Sequence, residues 1–130
     1  MRLRVRIRIL TRVMTRFLTN ELTKPELSED DLNIAKEILR KKCLIGLLEE
    51  KGETMERIQR YFGWRPQTEA DLDCLSRKVD LNWPMKHKHP SIEEGSRAWR
   101  LITAQNKLDL ELYNFAKFLF TKQGERLSEP

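Results

Sequence analysis

Few side chains in this sequence have the types and spacing to do more than pack. Glu49, Glu50 and Glu53 crowd carboxylates into one short stretch. General acid/base chemistry needs two carboxylates held about one substrate, with one pKa raised by burial. Adjacent residues of a strand project to opposite faces, so this run favours a structural carboxylate that fixes the turn into the next helix. His87, Lys88 and His89 form the histidine cluster, with Cys74 upstream. A zinc site wants three or four ligands at recognised spacing, and Lys88 between the imidazoles repels a dication, so the pattern describes a solvated loop and no metal. Arg16 carries a guanidinium able to hold an anionic sugar or a sulfate bidentately; its structural alternative is a salt bridge to Glu21 or to the Glu49 turn. Trp83, between Asn82 and Pro84, is an aromatic placed for exposure, whereas Trp64 and Trp99 fall where core packing is the usual role.

The elements that would position these groups follow from periodicity. Ser28 followed by Asp31 is a capping-box-like start, and Leu32, Ala35, Ile38 and Leu39 make one stripe, predicting a helix over 29–41. Cys43–Leu48, CLIGLL, is a continuous apolar run of the kind found in a strand buried on both faces. Such a strand needs neighbours, and the chain offers few. A second helix is expected over 54–62, with Met55, Ile58 and Phe62 inward and Gly63 closing it. Pro66, Pro84 and Pro90 make 65–90 mostly loop, with room for a short helix after Thr68. Ser91 with Glu94 forms a capping box before Ile92, Trp99 and Ile102. Asn106 is an N-cap for a last helix along Leu108, Leu112, Ala116, Leu119 and Phe120, expected to stop near Gly124 and leave 124–130 as a disordered tail.

Charge is unevenly placed. Arg2, Arg4, Arg6, Arg8, Arg12 and Arg16 precede the first acid at Glu21, so of a net +5 the remainder of the chain carries −1. Arg2–Leu10 alternates charge and apolar side chain with period two, as an edge strand does. From Ile7 onward the spacing also suits an amphipathic helix, and an acid-free arginine-rich start resembles a mitochondrial presequence. Residues 1–13 are accordingly read as a basic segment and 14–123 as a single domain. Cys43 and Cys74 are too few for a disulfide scaffold, and no apolar run approaches the roughly 20 residues of a membrane span.

Three stretches in order resemble a known family: Met14–Thr19 (MTRFLT), Leu44–Trp64 (LIGLLEEKGETMERIQRYFGW) and Asn106–Gln123 (NKLDLELYNFAKFLFTKQ). Together they are similar to the C-terminal part of sulfotransferases of the Golgi, carbohydrate-modifying type, P-loop-like α/β enzymes that use 3′-phosphoadenosine 5′-phosphosulfate (PAPS). The family's Asn-x-x-Asp-x-x-Leu-Tyr helix is matched by Asn106, Asp109, Leu112 and Tyr113. The likeness runs from about Thr11 to Gln123, with a poorly matched gap between Arg65 and Ile102.

The resemblance implies sulfuryl transfer from PAPS to a hydroxyl, with a carbohydrate acceptor, and the Golgi lumen as compartment. It implies that Arg16 and Trp83 are the residues placed to contact acceptor. It also implies what this chain lacks. The family's donor loop places Lys-Ser or Lys-Thr after closely spaced glycines, whereas Gly46, Gly52, Gly63, Gly95 and Gly124 are scattered and none is followed by such a pair. No catalytic or cofactor-binding residue is therefore assigned, and the chain alone is expected to be inactive. The expected fold is mainly α, four or five helices with one or two short strands, like the C-terminal portion of the α/β enzyme. Faces built to lie against a sheet would be exposed, favouring self-association. The alternative function is a small basic helical protein that binds an acidic partner, nucleic acid or a membrane surface through its arginine-rich start, nucleic acid being the less favoured partner.

Overall fold

The computed structural model describes residues 12–79 and 91–128. The period-two segment over 2–10, the His87–His89 cluster and Trp83 lie outside the described residues. Six helices occupy the described chain: α1 Val13–Thr19, α2 Glu29–Lys42, α3 Lys51–Phe62, α4 Glu69–Val79, α5 Arg97–Gln105 and α6 Lys107–Ser128. The mainly helical expectation holds, while no strand forms among the described residues.

Helix α2 begins as its sequence dictates. The Ser28 hydroxyl accepts from the Asp31 amide (3.3 Å), and the Asp31 carboxylate accepts from the Ser28 amide (2.7 Å), closing the capping box. Lys24 adds an ion pair to Asp31 at 2.6 Å. Helix α3 starts earlier than its stripe suggested and ends at Gly63, whose φ of 67° is the left-handed C-cap that glycine adopts without a Cβ penalty.

Two apolar clusters run along α6. Leu27, Leu32 and Ala35 pack on Leu108 and Leu112, with Leu18 and Leu39 at the margin. Further along, Ile45 and Leu47 pack on Leu119 and Phe120, again with Leu39 alongside. Helix α6 is thus the spine, α1 and α2 cover its first half, and residues 43–47 with α3 cover its second.

Several expectations are corrected here. Along CLIGLL, Ile45 and Leu47 are buried and Gly46 and Leu48 exposed, so the run is not buried on both faces, and no strand forms there. A carboxamide stands in for the missing neighbour: Gln123 accepts from the Ile45 amide and donates to the Cys43 carbonyl, both at 2.9 Å. The Ser91–Glu94 capping box does not form. Ser96 caps α5 instead, accepting from the Trp99 amide at 3.2 Å, after a turn in which Gly95 takes φ 81°. Helix α6 does not stop near Gly124 and continues to Ser128, so the tail from 124 is not disordered over that stretch. Phe62 and Trp64 are not inward; Trp64 is 61% exposed and stacks on Phe62 with ring centres 4.7 Å apart. No described helix is long and apolar enough to cross a membrane.

Candidate functional site

The first turn of α6 and the start of α1 are joined by a dense set of hydrogen bonds. An α-helix leaves its first amides without intrahelical partners, and α1 has no capping side chain of its own. Helix α6 supplies the partners. The Arg12 amide donates to Asn106 Oδ1 (3.1 Å), the Met14 amide to Asp109 Oδ2 (3.0 Å), and the Thr15 amide to Asp109 Oδ1 (3.0 Å). The fully buried Thr15 hydroxyl donates to the same Asp109 oxygen at 2.6 Å. A carboxylate at a helix N-terminus also faces the positive end of the dipole. Arg12 sits at φ 60°, costly for a residue with a Cβ, and is held there by its amide bond to Asn106 and by Nε donating to the Gln105 carbonyl (3.3 Å).

Asn106 therefore does not use its side chain to cap α6, as its position suggested. Its Oδ1 serves α1, and its Nδ2 donates to Ile102 O at 2.9 Å. The periodicity of α6 identified Asn106 and Asp109 as first-turn residues; nothing local signalled that they serve a helix more than ninety positions earlier.

Arg16 is the next residue along. Its side chain is folded inward, 8% exposed, and its guanidinium donates to the carbonyls of Glu21 (3.0 Å), Lys24 (2.6 Å) and Pro25 (3.4 Å). These bonds lace the 20–25 turn onto α1, where Asn20 leaves the helix at φ 59°. The structural alternative for Arg16 was a salt bridge to Glu21 or to the Glu49 turn; the bonds found here go to backbone oxygens of Glu21, Lys24 and Pro25. Its fork is aimed at the protein's own turn.

The carboxylate run divides in the same way. Glu49 accepts a hydrogen bond from the Tyr113 hydroxyl, and Glu53 pairs with Arg57 across one helical turn. Arg57, itself buried, also donates to the Phe120 carbonyl and lies over the Phe120 ring, 3.6 Å from its centre. Gly124 makes room for this: a Cβ there would come within 2.7 Å of Arg57 Cζ. The carboxylates, with Arg57, Arg60 and Lys117, line an open hollow of about 710 Å³ between the 47–50 turn, α3 and α6. Its lining is of mixed sign, and Arg16 is not part of it.

Comparison with protein-family models, with curated proteins and with solved structures finds no match. No described group of His, Cys, Asp or Glu is arranged to hold a metal ion. Cys43 and Cys74 are free thiols, the first half-buried and the second exposed. The MTR and Asn-x-x-Asp stretches are in direct contact in the fold.

Proposed function

We propose that this chain is a sulfotransferase-type C-terminal region: a helical module that packs against a donor-binding α/β half and does not transfer sulfuryl without it. Its relatives move a sulfuryl group from PAPS to a hydroxyl, with carbohydrate as the acceptor class. The observation that supports this reading is the bonding of Thr15 and Met14 to Asp109, because it joins two of the three stretches on which the resemblance rests.

The donor side is supplied from outside these residues. Phosphosulfate is held by backbone amides at a glycine-rich strand-to-helix loop, and this sequence has no closely spaced glycines from which to build one. Within the described residues the functional side chains are turned to structural work, Arg16 on the 21–25 carbonyls and Glu53 on Arg57.

The test is the native protein. An antibody to Asn106–Gln123 is applied to whole-cell extract passed over immobilised adenosine 3′,5′-bisphosphate, the product form of the donor. The expected species is larger than 15.5 kDa and is retained, while the isolated chain is not. A 15.5 kDa native band that passes straight through overturns the reading, as does donor binding by the isolated chain.

A further inference from the structure

The end of α2, the end of α3 and the last turns of α6 border a cleft of about 230 Å³. Lys41 and Lys42 line it from α2, Tyr61 from α3, and Gln123 and Arg126 from α6, with Cys43 and Leu44 between. The described lining holds three cations and no carboxylate, unlike the mixed hollow between α3 and α6. Little of this charge is cancelled internally. Lys41 shares Glu37 with Arg40, so two cations meet one carboxylate. Lys42 and Arg126, both exposed, have no ion pair among the described residues, and the acid next to Arg126, Glu125, is held by Lys122 at 2.9 Å.

Two neutral donors join the cations. The Tyr61 hydroxyl has no hydrogen-bond partner among the described residues, and its ring, 61% exposed, stands edge-on to Phe62 with ring centres 5.0 Å apart. Gln123 is fixed by its bonds to the Ile45 amide and the Cys43 carbonyl, which leave its second Nε2–H over. The dipole of α2 accounts for cations in its own last turn. It does not account for Arg126 and Tyr61, which line the same cleft from two other helices.

An ammonium, a guanidinium fork, a phenol O–H and a carboxamide N–H are the donors that a tetrahedral oxyanion accepts from. The Tyr61 ring adds a face on which the C–H side of a sugar ring packs. The volume lies below the roughly 300–1,000 Å³ of drug-sized sites, which limits the occupant to about one ring with its ester. We infer that this cleft binds the sulfate or phosphate monoester of a single sugar ring, with Lys42 and Arg126 on the ester oxygens and Tyr61 and Gln123 as neutral donors. The inference rests on side-chain placement and is independent of the family resemblance. With exposed donors the affinity is of millimolar order, too weak to retain the chain on a washed bisphosphate resin, so this test and the one above fail separately.

Side-chain nitrogen NMR of the full chain, at matched ionic strength, follows the Arg126 Nε–H and the Gln123 carboxamide as glucose 6-sulfate, glucose 6-phosphate or glucose is added. Both esters are expected to saturate with a Kd of about 1–10 mM, and the tighter of the two identifies the ester the cleft prefers. Lys42→Gln or Arg126→Gln should weaken binding about fourfold, and the two together about tenfold or more, read at Gln123. Both side chains are exposed, so matching thermal melts identify folded variants. Absence of saturation overturns the inference. So does a response to glucose equal to that of its esters, or an affinity unchanged in both variants.

Discussion

A single oxygen of Asp109 accepts from both the amide and the hydroxyl of Thr15, a residue 94 positions earlier, at 3.0 and 2.6 Å. The other oxygen takes the Met14 amide. One carboxylate on α6 is therefore the cap of α1. Asp109→Ala strands these donors together and is expected to cost about 3 kcal/mol, read as a shift in the urea midpoint. Thr15→Val leaves the amide bonds in place and should cost about 1 kcal/mol. Equal losses from the two variants would refute a cap built mainly on backbone amides.

Arg16 separates a structural from a ligand-binding guanidinium. If its fork serves the 21–25 carbonyls, Arg16→Lys keeps the charge but loses the paired geometry, at a cost of about 1–2 kcal/mol. Amide exchange over residues 20–25 should accelerate in the same variant. Unchanged stability and exchange would return Arg16 to the role of an acceptor contact.

Gln123 bonds the main chain of Cys43 and Ile45 as a neighbouring strand would. Gln123→Leu removes both its bonds and leaves the buried-side Ile45 amide and Cys43 carbonyl unmatched, a loss of about 2 kcal/mol. Gln123→Glu retains an acceptor for Ile45 yet sets a carboxylate against the Cys43 carbonyl, so it too should destabilise. Denaturant unfolding of the two variants checks both outcomes.

Asp31 makes stability depend on acid. The Lys24 ammonium, followed by the Ser28 amide, holds its pKa at about 2 against an ordinary 3.8. Because the folded value is the lower one, the unfolded chain binds the proton first as pH falls. The stabilisation is complete above about 3.8 and disappears as pH drops through about 2. Its size is on the order of 1–2 kcal/mol, allowing for the partly exposed Lys24. Lys24→Met should flatten the stability profile across that window; an unchanged slope would remove the ion pair from the account. Glu37 is also lowered to about 2, by Arg40 and then Lys41, but it stands on an exposed helix face where salt screens its contribution.

Local pattern was sufficient wherever the physics is local. The Ser28–Asp31 box, the stripe through Leu32 and Ala35, the glycine stop at Gly63 and the inward row Leu108, Leu112, Leu119 and Phe120 follow from spacing, because capping and amphipathicity act within a turn or two. CLIGLL reads as a strand buried on both faces, yet Gly46 and Leu48 are exposed, and a carboxamide 78 positions away from Ile45 occupies the place of a neighbouring strand. Asn106 and Asp109 fit an N-cap and a first-turn acid on α6, yet their oxygens serve α1. Arg16 reads as a candidate ligand group, and in the fold its guanidinium donates to the carbonyls of Glu21, Lys24 and Pro25. A side chain's reach and chemistry are written in its type and position, but which of several competent partners it meets is set by the packing of distant helices, and that is a property of the whole chain.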